Sequence, residues 1–442
     1  MAREIHTWLS RIFAERHTTG GTDLEAIEMA LRVALHQVGA SALTALLQYE
    51  EPDPDHRQLP CPCGHTAQYL GLRAKTLVTA LGPAELRRPY HLCARCGEGQ
   101  FPVDEELDVS QTRKSPGVRR MLAALGYDAP FKRCSQQMKL LAGVEITAKE
   151  VERTAEAIGE DLAAREQQEI QRVLQLDLPV VGGEKILIMY VQMDATGVPV
   201  VKKETVDRPG KTEGEPAHTR EAKLGCVFTQ TTWDEEGYAI RDPDSTTYTG
   251  ALETAEEFGK RLYLEAWKRG WGRAEKQVVM GDGAEWIWNI AEEHFPGAVQ
   301  IVDLYPARQH LWDLARKLYP QDVPEQKRGM MIHQDLLDEG NIEKLVGALH
   351  SIKSSNAELT KTIGKEAKYF AKNAKRMQYP EFRRQHLFVG SGVVEAGCKT
   401  MIGSRCKGSG MFWTVRGANA ILALRCCHSN HRFEDYWEAR RA

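Results

Sequence analysis

Two apolar runs each close on an aspartate. The first is Lys185-Ile-Leu-Ile-Met-Tyr-Val-Gln-Met-Asp194, and the second is Gln277-Val-Val-Met-Gly-Asp282, followed by Gly283. Short, nearly unbroken apolar runs bounded by polar or glycine-containing segments predict buried strands. From 183 to 310 the pattern alternates strand, strand, helix, strand, helix, strand. The strands are expected at 185–193, 222–230, 276–281 and 299–304, and the helices near 251–269 and 284–294. That alternation restricts the stretch to an α/β sheet faced by helices. Residues 203–221 are polar and contain Gly and Pro, which predicts a long loop. From about 307 to 376 only helical patterning is found. A Gly-rich stretch, 390–410, then lies between helical pieces.

The first third reads differently. Leu24, Ile27, Leu31 and Val38 predict an amphipathic helix over 23–48, capped by Thr22 or Asp23. Short strands are expected within 61–105, around a Gly82-Pro83 turn. Helices are expected from Ser115 to about Leu176, with a turn near Gly143. The chain has 442 residues, 42% apolar and 27% charged, which is ordinary for a soluble globular protein of two to four domains. No apolar stretch reaches the roughly 18–20 residues of a membrane span. The opening Met-Ala-Arg-Glu-Ile-His has no apolar signal core. The expectation is therefore a cytoplasmic chain with no membrane partner.

A net charge of −3 argues against nucleic acid, but its distribution does not. Residues 361–442 carry 16 Lys/Arg against 6 Asp/Glu, which leaves −13 on the first 360. A cationic region on an acidic body can grip phosphate locally. A solvated helical face is the other reading of Lys361 to Arg376.

Ten cysteines are unevenly spread, and four of them fall between Cys61 and Cys96. In a cytosolic chain that clustering suggests metal before disulfide. Cys61-Pro-Cys63-Gly64 and Cys93-Ala-Arg-Cys96-Gly97 look like two zinc knuckles separated by 29 residues. The first pair is one residue short of the common spacing, so His65 is an alternative ligand. A structural zinc ribbon is expected. Cys134, Cys426 and Cys427 read as buried helix residues.

Asp194, Asp282 and Glu395, the last in Gly390-Ser-Gly-Val-Val-Glu395, can converge on one pocket if the two strands are neighbours and a late helix covers them. Oxygen ligands of net negative charge suit Mg²⁺, and paired ions about 3.5–4 Å apart serve phosphoryl transfer. Each acid also has a plainer reading. Asp194 can be a turn residue, Asp282 a helix cap, and Glu395 an i,i+4 partner of Lys399.

These segments resemble the Asp-Asp-Glu transposases of bacterial insertion sequences, an RNase H-like group. The nearest likeness is to the ISKra type, with a more distant one to Mutator-type enzymes. The likeness is carried by Gln192-Met-Asp194-Ala-Thr-Gly, Asp282-Gly-Ala-Glu-Trp-Ile-Trp288, Val302-Asp303-Leu-Tyr, Ser391-Gly-Val-Val-Glu395 and Ser404-Arg405-Cys-Lys407 through Trp413, and it runs in order from about 60 to 440. The resemblance implies catalytic Asp194, Asp282 and Glu395 holding two Mg²⁺ or Mn²⁺ ions, with Asp303 and His310 close behind them. Family members often carry His where Pro306 stands, which puts that residue's share of DNA handling in doubt.

The implied fold is an α/β, RNase H-like catalytic core with an all-helical insertion, preceded by a small zinc-ribbon-like β module and helical DNA-binding segments. The expected division is a helical region over 1–56, the zinc-ribbon-like module over 57–108, helix-turn-helix-like segments over 109–178, core over 179–306, insertion over 307–385, and core with the basic tail over 386–442. The implied reaction is cleavage at transposon ends and strand transfer into target DNA. The implied partners are double-stranded DNA and a second copy of the chain, at the nucleoid.

Thr147 and Glu150 form a capping-box pattern, and in a helix-turn-helix Lys149 and Arg153 would face DNA. Lys399, Arg405, Lys407 and Arg416 around Trp413 could meet phosphates and an unpaired base. Alternatives are a non-catalytic or domesticated DNA-binding protein, another RNase H-like nuclease, and a carboxylate-pair sugar hydrolase. The last fits the basic tail worst.

Overall fold

The structure is a computed structural model that describes residues 6, 7, 10, 24–175, 182–206, 208–210 and 217–440. The expected cap at Thr22 or Asp23 and part of the 203–221 loop lie outside the described residues. The chain forms two compact units, Met1–Ala155 and Glu156–Ala442. Among the described residues no helix is long and apolar enough to cross a membrane. The secondary structure is mixed α/β.

The first unit opens with helix α1 (Leu24–Leu46). A four-stranded antiparallel sheet follows in sequence order: β1 (Gln58–Pro60), β2 (Thr66–Thr79), β3 (Gly82–Leu92) and β4 (Gly99–Gln100). The β2–β3 hairpin turns on Gly82, whose φ of +112° is open to glycine. Near that turn, Leu77 and Leu86 pack on Val103 and Val109, beside the short α2 (Pro102–Glu106). The other end has little apolar support, with only Cys61, Ala67 and Cys93 buried together.

Next come α3 (Pro116–Gly126), α4 (Phe131–Gln137) and α5 (Ala148–Leu174), which runs on into the second unit. Met138–Ala142 prolongs α4 as a π turn, and Gly143 ends it at φ +66°. Val118, Leu122, Met138, Ile146 and Val151 close a small core between α3, α4 and the start of α5. The capping box is present: Glu150 N–H reaches Thr147 Oγ1 at 3.3 Å, and Thr147 N–H reaches Glu150 Oε2 at 3.1 Å.

The second unit is built on a five-stranded mixed sheet. Its strands are β5 (Ile186–Pro199), β6 (Thr219–Gln230), β9 (Thr247–Ala251), β10 (Ala274–Gly281) and β11 (Val299–Val302), in the order β11-β10-β5-β6-β9. The minor pair β7 (Thr232–Trp233) and β8 (Ala239–Ile240) stands apart. β5, β10 and β11 run parallel, and β6 and β9 pair antiparallel beside β5. Helices α6 (Ala255–Lys268) and α7 (Glu285–His294) connect the later strands. Five helices then follow: α8 (Leu304–Leu318), α9 (Val323–Asp338), α10 (Ile342–His350), α11 (Ala357–Asn373) and α12 (Tyr379–Arg384). The chain returns through α13 (Gly392–Gly397), a π-helical stretch at Cys398–Gly403, α14 (Ser404–Cys406), α15 (Val415–Ser429) and α16 (Phe433–Ala439).

Four expectations need correction. β5 does not stop before Asp194 but runs to Pro199, because antiparallel β6 keeps pairing it from Ile188↔Gln230 to Pro199↔Thr219. The expected 203–221 loop is shortened by the same pairing. The helix expected from 251 starts at Ala255, behind a Thr254–Glu257 capping box, and 247–251 is strand β9. β11 ends at Val302 because Asp303 caps α8.

Candidate active site

Strand register brings three aspartates level. Gln192 pairs with Met280, and Met280 with Ile301. Two residues further along each chain stand Asp194, Asp282 and Asp303, at the carboxyl ends of parallel pairing. Open α/β sheets bind ligands at that edge. Asp194 lies within β5 yet two positions past its last partner on β10, so antiparallel β6 supports it while the β10 side opens.

Glu395 reaches the same edge on α13, which two buried side chains dock. Gln192 Oε1 accepts Val394 N–H at 3.2 Å. Asp303 Oδ2 accepts Ser391 N–H at 2.5 Å and the Ser391 hydroxyl. Gly397 lets the helix lie close, since a Cβ there would sit 2.6 Å from Tyr248. Asp194, Asp282 and Glu395 thereby line one open cavity of about 570 Å³, with Thr196, Pro306, Ser391, Cys398, Lys399 and Lys407.

The three acids differ in environment. Asp194 is half-buried, and its pKa is raised, first by burial. The Ala195 N–H (2.7 Å) and the Cys398 thiol oppose that shift, and the charges of Asp282 and Asp303 add to it. Asp282 is exposed, and its Oδ1 accepts Ala284 N–H at 2.9 Å. This bond lies just ahead of α7, whose N-cap is Ala284 with no side-chain cap, so Asp282 does not cap the helix and its carboxylate lies at the cavity. Glu395 is half-buried.

Asp303 is fully buried, and its oxygens are engaged by Ser391 and by Tyr305 N–H at 2.7 Å. Burial raises its pKa, against those bonds. It therefore positions the Glu395 helix. His310 bonds Glu366 at 2.7 Å and stacks on Tyr369 at 4.1 Å, and the Tyr369 hydroxyl donates to the Asp282 carbonyl at 2.9 Å. Sequence reading missed Gln192, Ser391, Cys398 and Tyr369. Each acts through a partner remote in the chain, so local pattern carries no sign of it.

The basic tail divides. Lys399 and Lys407 are exposed at the cavity, and Lys407 bonds Thr196. Arg416 is exposed but held by Glu160, with one bond at 2.8 Å. Arg405 and Trp413 are corrected: they are 1% and 7% exposed, leaving no surface for a nucleic acid strand. The Arg405 guanidinium lies over the Trp413 ring at 5.0 Å, and Trp413 pairs its backbone with Pro199 and Val201 at the end of β5. The exposed aromatic of that loop is Phe412. Trp288 is buried and Trp286 half-buried, so Trp288 is the one that faces the core. Cys134, Cys426 and Cys427 are buried, as expected.

In the first unit, Cys61, Cys63, Cys93 and Cys96 bring their sulfurs within 4.8 Å of one another. Individual separations are 3.4 Å (Cys61–Cys63), 3.5 Å (Cys61–Cys96) and 3.7 Å (Cys63–Cys93). Four sulfurs about 2.3 Å from a tetrahedral zinc stand about 3.8 Å apart, whereas a disulfide needs about 2.05 Å. The cluster can therefore hold a zinc ion. Gly64 and Gly97 turn the knuckles at φ +82° and +76°. The N–H groups of Cys96 and Arg95 pull the Cys93 thiol down to about 6. His65 stays outside the four sulfurs, with Nδ1 3.2 Å from the Cys63 carbonyl oxygen. Lys149 and Arg153 are exposed at the start of α5, and Lys149 pairs with Glu152 at 2.7 Å.

No family model and no curated protein matches this chain. Among solved structures, the Drosophila P element transposase strand transfer complex is similar over 76% of this chain and 84% of that chain, at 8% identity and a TM-score of 0.24. A likeness at that score carries no argument about fold.

Proposed function

We propose that this chain is a DNA transposase of the Asp-Asp-Glu type, with an RNase H-like core that cuts transposon ends and joins them to target DNA. The observation that carries the reading is the shared cavity of Asp194, Asp282 and Glu395, residues more than two hundred positions apart at their extremes. A mixed sheet, followed by an all-helical stretch before the helix bearing the glutamate, is the arrangement this reading requires. Lys399 and Lys407 supply positive charge where a phosphodiester would lie. Lys149 and Arg153 in the first unit are proposed to meet the flanking duplex. Joining two ends calls for at least two copies of the chain.

The donor set fits Mg²⁺ or Mn²⁺: three carboxylates, with Asp194 raised by burial and by its acidic neighbours, favour a hard cation. Asp194, Asp282 and Glu395 would hold it. When bound, such ions activate the attacking oxygen and stabilise the leaving one. The protein's own part is geometric: Gln192 and Asp303 fix α13, Cys398 ties that end of the helix to Asp194, and the sheet edge keeps the reacting phosphate in line.

The direct experiment is cleavage and strand transfer with the DNA flanking the gene, with and without Mg²⁺. Metal-dependent nicking and joining are expected, and their absence with every end fragment would sink the reading.

A stability measurement tests the cation fit separately. Asp194 has a folded pKa above its unfolded value. Its proton-linked stabilisation is present below the ordinary carboxylate range and lost as pH rises through the raised value. At neutral pH its charge therefore costs stability, and Asp194→Asn should raise the metal-free Tm by about 1–3 °C. Mg²⁺ should then raise the wild-type Tm and leave the variant unmoved. Equal metal response in both proteins would remove Asp194 from the ligand set.

A further inference from the structure

We propose that the lysine face of α11 is a docking track for the phosphate backbone of duplex DNA, leading into the acidic cavity. This rests on the transposase reading above. Ile363, Ala367 and Phe370 form the buried stripe of α11. At about 100° per residue, Lys361, Lys365, Lys368 and Lys372 fall within roughly 60° on the opposite side. All four are exposed. Lys372 pairs with Glu285 at 2.9 Å, whereas Lys361, Lys365 and Lys368 have no ion-pair partner among the described residues. Glu366, in the middle of the helix, turns instead to His310.

Like charges at i,i+4 destabilise a helix by about 0.2–0.5 kcal/mol per pair. A face kept only for solubility mixes the two signs. Four stacked lysines therefore ask for a polyanion. The stripe also has a direction. Tyr369, between Lys368 and Lys372, hydrogen-bonds the Asp282 carbonyl, and Lys372 holds Glu285 just after it. The track thus ends at the cavity's Asp282 side. From Lys361 to Lys372 it is about 16 Å long, over which one strand of a duplex presents about five phosphates.

The test is anisotropy titration of the full chain with a labelled duplex across a monovalent salt series. Lys361→Gln/Lys365→Gln/Lys368→Gln removes three charges while keeping helix propensity. The plot of log affinity against log salt should become shallower by about 2.7. Equivalently, the wild type's advantage should shrink roughly 40-fold between about 50 and about 200 mM salt. The corresponding triple Arg variant should keep the wild-type slope. Parallel slopes for wild type and the Gln variant overturn the track alone. A slope change seen with single-stranded RNA but not with duplex DNA overturns the duplex assignment. No duplex binding by the wild-type chain overturns the transposase reading and the track with it.

Discussion

Asp282→Asn should abolish metal-dependent strand cleavage, by about 10³-fold or more, and leave the fold intact. A 10³-fold loss corresponds to about 4 kcal/mol of transition-state stabilisation, an ordinary effect for removing a carboxylate that would hold a cation at the reacting phosphate. Asp282 is the cleanest of the three acids to test. Its side chain is exposed, and its bond from Ala284 N–H falls on an oxygen that asparagine also offers. The substitution removes charge and little else, so circular dichroism and Tm should stay at wild-type values.

Asp303→Asn makes the contrast. There the amide would turn a donor toward the Ser391 N–H and hydroxyl donors in a fully buried site. An unsatisfied buried group costs about 1–3 kcal/mol, so this variant should lose stability together with activity. Cleavage by Asp282→Asn at the wild-type rate, in the same buffer and metal, would refute the triad.

Much of this geometry was legible in the sequence, and the limits are instructive. The apolar runs ending at Asp194 and Asp282 identified two buried strands, because a parallel strand buried on both faces leaves a continuous apolar signature, while their adjacency comes from the pairing of β5 with β10. The length of β5 beyond Asp194 was not legible. It depends on β6, whose pairing residues begin at Thr219, and nothing in Ala195-Thr-Gly-Val-Pro199 announces it. β9 was hidden because Thr247-Tyr-Thr-Gly-Ala251 is short and contains glycine, while the Thr254–Glu257 capping box that places the helix start was readable and overlooked.

The level row of Asp194, Asp282 and Asp303 emerges only from register. Contact with Ser391 then separates the engaged carboxylate of Asp303 from the exposed one of Asp282. In the tail, residue type misled. An arginine is almost never fully buried unless paired, so Arg405 read as a surface charge. Its partner ring, Trp413, is supplied by the loop's return to the end of β5. Alternation then turns Phe412 outward, a choice between neighbouring aromatics that local sequence leaves open.

Cys93→Ser should release one zinc per chain and melt one end of the β2–β3 hairpin while sparing the other. Around the four sulfurs the apolar support is limited to Cys61, Ala67 and Cys93. Burial of so few small side chains is worth about 1–3 kcal/mol each at most, against about 10–16 kcal/mol for a structural zinc site. A bound zinc ion would therefore dominate there. Cys93 is the decisive ligand to remove: it is fully buried among the four, and the Cys96 and Arg95 N–H groups hold its thiol below the ordinary range. A serine hydroxyl stays protonated and binds zinc weakly.

The far end of the hairpin rests on Leu77, Leu86, Val103 and Val109, and Asp104 is clamped there by Arg88 at 2.8 Å and Lys75 at 2.9 Å. That core does not involve the metal. Hydrogen exchange should thus accelerate at 58–69 and 90–100 and remain slow across 74–88. Cys134→Ser, whose sulfur bonds the carbonyls of Leu125 and Ala129, should keep its zinc. Elemental analysis showing the same zinc content in Cys93→Ser as in the wild type would eliminate the four-sulfur site, and uniform melting of the whole hairpin would show that the two cores are not independent.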